Sequence, residues 1–407
     1  MLVVLIPLFD KDMSVAAYSI FTQKDNFFLK PTLQGTIRFD GASQIGGIDL
    51  INEIGIDTLT NGKDIFVPLT NISIFSDIEG MCPTDRDKIV FLIDNTIPPV
   101  DMYVDRIKQL KDNGFRIAIR KLAVSEFESY RPILSLVDFI FLNGNNIVVD
   151  NAKKYFNTLY PKAKLCAGSI ASKETFDKLV LSDGYQYYEG SFYRMPLPSG
   201  ESEVTPLKVN YIDLINLVNN DDFDFDKAAD IIGRDTALTI SLLEMVNRMT
   251  LRGGVSTIRH AAAMLGQKEL KRWINTAVTK ELYADKPGEM TRISLLRAKF
   301  AENLAESFNL AMAKEELFLM GLFSVLDAIL NLPMEEALEL MQVSKDIKDA
   351  LIGKTGKLAP VYEFMLQYED AAWQEVTRIM VVDNIEMKTV EDAYYDTLMW
   401  YKKLIVD

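Results

Sequence analysis

Histidine is nearly missing from this chain: His260 is the single one in 407 residues. A metal site built from several imidazoles is therefore excluded. Cysteine is almost as scarce. Cys82 and Cys166 are the two present, and no Cys pair stands at metal-ligand spacing. That usage fits a reducing compartment better than a disulfide framework. No apolar run reaches the ~18 residues that a membrane-spanning helix needs. The opening M-L-V-V-L-I-P-L-F-D lacks a basic region and a cleavage site, so it reads as a buried strand and not as a signal peptide. Positive charge is in deficit as well. Lys and Arg number 44 against 58 Asp and Glu, leaving a net charge of −14. Such a chain repels phosphate backbones unless its basic residues cluster. They are scattered, the densest short group being Lys268, Lys271 and Arg272. These absences lead us to expect a cytoplasmic protein with no membrane insertion and no nucleic-acid partner.

The first half alternates short apolar runs with helical patterns. Strands are expected at Leu2–Ile6, Ala16–Phe21, Ile65–Leu69, Ile89–Ile93, Phe115–Ile119, Val137–Leu142, Lys164–Ala167 and Tyr185–Tyr188. From the third onward they recur about every 22 to 26 residues, room for one strand, one helix and two short loops. In Val100–Lys111 the apolar residues Val100, Val104, Ile107 and Leu110 share one helix face. Ser172 followed by Thr175 is an acceptable helix start. Continuous apolar strands alternating with helices argue for a parallel sheet. Eight of them suggest a compact (β/α) barrel of the TIM type.

The stretch Asn113–Glu126 organises this half, because it reads as a turn, a buried strand and the loop at that strand's C-terminal end. Barrel active sites sit at that end. Here it carries Arg120, Lys121 and Leu122 where an enzyme would be expected to place reactive groups. Two adjacent basic residues at a barrel mouth are solvated or paired, or they grip a phosphate.

The segments P-L-F-D-K-D-M-S-V-A-A-Y-S-I-F, F-V-P-L-T, V-F-L-I-D-N, G-F-R-I-A-I-R-K-L, V-D-F-I-F-L-N, L-C-A-G-S-I-A-S and G-Y-Q-Y-Y-E-G-S-F follow in the order and spacing of the EAL domain. The first half resembles that family. The resemblance implies a barrel that hydrolyses cyclic di-GMP with Mg²⁺ or Mn²⁺. It also places the family's functional positions on this chain. The signature Glu falls at Ser19 and the following Arg near Gln23. The metal-binding Asn falls at Pro68, the next Glu at Leu92, and the Asp pair at Arg120 and Lys121. The Lys falls at Phe141 and the Asp after it at Asn143. Of the remaining Glu positions, one falls at Gly168 and another near Ala171, while the substrate-side Gln falls at Glu189. Two-metal hydrolysis needs carboxylates to hold the ions, so the expectation is a degenerate EAL domain without phosphodiesterase activity and without metal or cofactor.

M-P-L-P-S-G-E-S-E-V-T-P-L-K-V, residues 195–209, is rich in Pro, Ser and Glu and reads as a semi-rigid linker. Helical periodicity then runs to residue 407, including Ile258–Leu265 stopped by Gly266, and Ala359–Met380. The second half resembles the HDOD domain. D-T-A-L-T-I-S-L-L-E-M-V-N, V-S-T-I-R-H-A-A-A-M-L-G-Q-K-E-L-K-R-W, L-R-A-K-F-A-E-N-L-A and F-L-M-G-L-F-S-V-L-D-A-I-L carry that resemblance. Where HD enzymes have a metal-binding His-Asp, this chain has Ser324 and Val325. His260 reads as a packed or half-exposed structural residue. The run N-N-D-D-F-D-F-D lacks calcium-loop ligands, since Lys227 and Gly233 stand where Gly and Glu are required, and it reads as a loop capping a helix.

The expected organisation is an EAL-like barrel over 1–197, a linker over 198–206 and an HDOD helical domain over 207–407. The expected function is non-catalytic signal transduction or scaffolding through protein partners, including a second copy as a homodimer. One alternative is a receptor binding a cyclic dinucleotide at the barrel mouth through Arg120, Lys121 and Arg194. Another is an enzyme with an unrecognised site.

Overall fold

The computed structural model describes residues 1–23, 45–82, 86–143, 149–194, 206–220, 223–249, 255, 257–282, 288–341 and 343–406. The linker expected at 198–206 therefore lies outside the described residues except at Pro206. The chain forms two compact units: residues 1–195, 306–309 and 364–407 make the first, and 196–305 with 310–363 make the second.

The first unit is a closed barrel with strands in sequence order. They are β1 (Leu2–Phe9), β2 (Val15–Gln23), β3 (Asp64–Pro68), β4 (Ile89–Ile93), β5 (Arg116–Ile119), β6 (Phe139–Asn143), β7 (Lys164–Ile170) and β8 (Tyr187–Gly190). All eight expected strands form. β2 to β8 are mutually parallel, as their apolar runs imply. β1 departs from the expected parallel sheet: it pairs antiparallel with both β2 and β8. The reason is local. Only five residues separate β1 from β2, too few for a crossover. Asp10 Oδ1 accepts from the Asp12 and Ser14 amides, both at 2.9 Å, and Met13 takes the left-handed conformation at φ 60°. The result is a tight hairpin.

Helices α1 (Ile48–Ile54), α2 (Ile56–Thr60), α3 (Ile78–Met81), α4 (Asp101–Asp112), α5 (Arg131–Leu134), α6 (Val149–Leu159) and α7 (Lys173–Leu181) lie between the strands. Val104, Ile107 and Leu110 are the buried face of α4. Ser172 caps α7 by accepting from the Thr175 amide.

The second unit holds α8 (Pro206–Asn219), α9 (Phe225–Ile232), α10 (Thr236–Met249), α11 (Ile258–Leu282), α12 (Gly288–Leu304), α13 (Lys314–Phe323), α14 (Leu326–Leu330), α15 (Met334–Glu339) and α16 (Lys345–Gly353). α11 is broken at Gly266, whose φ of 75° and ψ of 169° are non-helical. α9 is capped by Asp224, which accepts from the Asp226 and Lys227 amides.

Next come α17 (Ala359–Glu369), α18 (Trp373–Val382) and α19 (Met387–Val406). The single helix expected over Ala359–Met380 is two, because Ala371 adopts φ 53° between them. The first unit takes in residues 364–407, a segment that helical periodicity alone assigns to the same domain as 207–363. Among the described residues no helix is long and apolar enough to cross a membrane.

Candidate functional site

The barrel interior is apolar and aromatic at its middle. Phe66 meets Phe139 and Phe141 edge-on at 5.3 and 5.5 Å, and Phe139 stacks on Tyr187 at 5.7 Å. Val90, Ala118 and the fully buried Cys166 fill the gaps between the rings. The strand starts are closed by Arg116, which makes two hydrogen bonds to Asp64 at 2.8 and 2.9 Å. Burial, followed by the charge of Asp64, pushes the Tyr187 hydroxyl up to about 12.

The strand ends form the mouth. There Arg120, just after β5, donates from Nη2 to Glu189 Oε1 of β8 at 3.0 Å. Ser19 Oγ donates to the other carboxylate oxygen, Oε2, at 3.5 Å. The guanidinium lies over the Phe21 and Phe141 rings at 5.1 and 5.7 Å, an arrangement that suits a planar, weakly hydrated cation. Its Nη1 is buried and has no hydrogen-bond partner among the described residues. Phe141 is buried against the pair, Leu92 is buried in the apolar cluster inside the barrel, and a side chain at Gly168 would have ordinary van der Waals room. Four of the positions that the EAL resemblance singles out, Ser19, Arg120, Phe141 and Glu189, thus meet around one ion pair. Pro68 ends β3 at the same end of the barrel, half-buried.

Lys121 reaches Asp94 Oδ2 at 3.5 Å and sits at φ 62°. Asp94 is held in its own turn, with Oδ1 accepting from the Thr96 amide and hydroxyl at 3.0 and 2.6 Å. Ser169, where β7 slips register against β8, has φ 61°. Left-handed conformations at non-glycine residues cost about 1–3 kcal/mol each and gather at functional sites. Two of them flank this mouth.

Arg194 is held elsewhere. It pairs with Asp370 at 2.7 Å and Glu369 at 3.7 Å, and its Nε donates to the Tyr193 hydroxyl at 3.1 Å. Its partners here are tail carboxylates, not the groups of the mouth.

In the second unit, Ser324 and Val325 form the turn between α13 and α14. Ser324 Oγ donates to the Gly321 carbonyl at 2.6 Å and accepts from Arg297 Nη1 at 3.1 Å. Val325 is buried. Burial raises the Asp327 carboxyl pKa above its ordinary value, against the lowering effects of nearby backbone amides and Arg297. His260 is exposed, not packed. Among the described residues no group of three or more His, Cys, Asp or Glu side chains is placed to hold a metal ion.

Sequence reasoning placed Arg120 and Glu189 at one mouth, yet the pairing between them was not foreseen. The signal was present as complementary charge at the ends of β5 and β8, two strands that are not adjacent in the barrel, 69 residues apart.

Comparison with known proteins adds the following. Residues 204–349 match the HDOD domain. The cyclic di-GMP phosphodiesterase CdgJ of Vibrio cholerae is 27% identical over 324 residues, covering 77% of this chain and 73% of CdgJ. The uncharacterized protein YuxH of Bacillus subtilis is 23% identical over 414 residues, covering 98% of this chain and 97% of YuxH. Among solved structures, the PaMucR phosphodiesterase in complex with c-di-GMP aligns with a TM-score of 0.38 at 13% identity, over 49% of this chain and 98% of that one. The EAL enzyme Bd1971 in its cAMP-bound form aligns with a TM-score of 0.34 at 11% identity, over 46% of this chain and 61% of that one. The chain thus spans less than two thirds of Bd1971.

The relation to CdgJ corrects one expectation. Substituted ligand positions led us to expect a protein that is not an enzyme, whereas similarity over three quarters of the chain runs through a phosphodiesterase. Residues 204–349, which match the HDOD domain, follow a closed eight-stranded barrel in the sequence.

Proposed function

We propose that this chain is a cyclic di-GMP signalling protein whose barrel engages the dinucleotide at the mouth formed by Arg120, Lys121 and Glu189. The observation that carries the reading is the unmet donor on Arg120: a buried guanidinium nitrogen with no acceptor among the described residues. A phosphodiester oxygen is an acceptor of the kind that guanidinium donors take. The half-buried Phe21 ring adds apolar surface for a base. The relation to CdgJ supplies the ligand class.

The test is calorimetric titration of the full chain with cyclic di-GMP and Mg²⁺, with product analysis of the same sample. Saturable heat that disappears in Arg120→Ala supports the reading, and linear dinucleotide in the product would add turnover to it. No heat and no product would overturn it.

A second role, contact with protein partners or with a second copy of the chain, draws on the helical unit. That unit leaves Ile240, Met249 and Met264 exposed, and large exposed apolar side chains serve as interface anchors. Sedimentation of the purified protein tests it. A mass equal to one chain at high concentration would remove the homodimer from this reading.

A further inference from the structure

The seam between β1 and β8 is short. β1 pairs with β2 over its full length, from Leu2 opposite Gln23 to Phe9 opposite Val15. With β8 it pairs only at Leu8 and Phe9. Among the described residues the rest of the β1 edge is therefore left without a strand, and unpaired strand edges are both costly and sticky. No helix connects β1 to β2, and β8 is followed by a short helical turn, Phe192–Arg194, and not by a long barrel helix. Among the described residues the seam thus has no connecting helix of the kind that α4 and α7 provide beside β5 and β7.

Three consecutive residues of the tail lie on both sides of that seam. Tyr368, fully buried, serves both main-chain groups of Val3: its hydroxyl accepts from the Val3 amide at 3.2 Å and donates to the Val3 carbonyl at 2.9 Å. Glu369 and Asp370 hold Arg194 at the exit from β8. Further along the tail, Thr377 Oγ1 accepts from Gln23 Nε2 at the end of β2 at 3.2 Å. On α19, the Tyr395 hydroxyl donates to Glu53 at 2.9 Å and Lys402 Nζ to the Ile54 carbonyl at 3.1 Å, both at the end of α1. Tyr368 is itself wedged between Trp373 and Tyr394, with ring centroids at 5.4 and 5.0 Å.

We infer that residues 364–407 are a strap that closes the barrel, with Tyr368, Glu369 and Asp370 as the staple joining β1 to the β8 exit. β8 also carries Glu189, the partner of Arg120 at the mouth. Lifting the strap frees the strand that holds that carboxylate, so the geometry of the mouth depends on a segment about 180 residues downstream of β8. The strap stands on the seam geometry and does not require that the mouth bind any particular ligand.

Hydrogen exchange on the full chain, read by mass spectrometry, tests the inference in Tyr368→Phe and Asp370→Asn. Tyr368→Phe keeps the ring packing and leaves two buried main-chain groups of Val3 unserved, which should accelerate exchange in β1 by about tenfold. Asp370→Asn should do the same, more weakly, at the β8 exit. In both variants β4 and β5, on the far side of the barrel, should keep their protection. Unchanged exchange at the seam would overturn the inference. A rise spread evenly over β1 to β8 would overturn it too, since that marks general loss of stability with no local closure. In the unmodified protein, residues 373–406 and β1 should open together. A tail that exchanges far faster than β1 would also sink the strap.

Discussion

Arg120 and Glu189 close the mouth of the barrel as an ion pair at 3.0 Å, with the Ser19 hydroxyl on the second carboxylate oxygen and the Phe21 and Phe141 rings against the guanidinium. Both side chains are largely out of water, at 18% and 10% exposure. Removing one member of such a pair strands the other as a buried charge. Arg120→Met should therefore cost about 3 kcal/mol of stability, whereas Arg120→Met with Glu189→Leu should regain most of it. Denaturant unfolding of the two variants checks this. Equal losses in the single and double variants would mean that the pair is not the source of the cost.

Lys121 separates stability from binding. Its φ of 62° is a conformation that a side chain pays about 1 kcal/mol to hold and that glycine holds freely. Its ion pair with Asp94 is long, at 3.5 Å, and Lys121 is 65% exposed, so little stability is lost with it. Lys121→Gly should leave the unfolding midpoint unchanged or higher and still weaken cyclic dinucleotide binding. A fall in midpoint together with unchanged affinity would show that the residue serves the fold and not the ligand.

Much of the architecture could be read from the sequence, and the misses have physical causes. The eight strands were legible because each is a short apolar run between turn residues. The break in α11 was legible because Gly266 sits where the helical pattern lapses. The antiparallel β1 was less so: its apolar run resembles those of β4 and β5, and only the short Asp10–Ser14 connection betrays its direction. The division of Ala359–Met380 into α17 and α18 was hidden because Ala371 is a good helix former that here takes φ 53°. Placement of the tail was not legible at all. Periodicity shows that α19 has an apolar face but does not say which surface it meets. The mouth followed the same rule. Its residues could be named from the strand ends, while the Arg120–Glu189 contact depended on which ends the closed sheet brings together.

Asp327 gives the second unit a pH dependence. Burial raises its folded carboxyl pKa above the unfolded value of about 3.8. A raised acid binds its proton more tightly when folded, so the folded state is favoured below the unfolded value. That benefit is lost as the pH rises through the folded pKa. At neutral pH the ionised carboxylate is therefore a net burden. Asp327→Asn should raise stability at pH 7, and the gap from the parent should close on acidification toward pH 4. A variant less stable than the parent at pH 7 would mean that the attraction of Arg297 outweighs burial.

In the second unit α13 crosses α12 in close backbone contact. Gly321 stands over the backbone of Arg297 and Ala298, and a Cβ there would come within 2.4 Å of the Arg297 carbonyl carbon. The obstacle is backbone, so no side-chain rotation relieves it. The same crossing fixes two polar contacts. Ser294 Oγ donates to the Leu322 carbonyl at 2.6 Å, and Arg297 reaches Ser324. Gly321→Ala must push the helices apart and stretch both. We expect a loss of about 3 kcal/mol, at the upper end for added volume in a packed core, read as a lower midpoint in thermal or denaturant unfolding of the full chain. Hydrogen exchange would locate the loss in α12 and α13. If Gly321→Ala unfolds at the parent's midpoint, the helices are not in that contact, and the account of Ser324 as a residue held by Arg297 across the crossing falls with it.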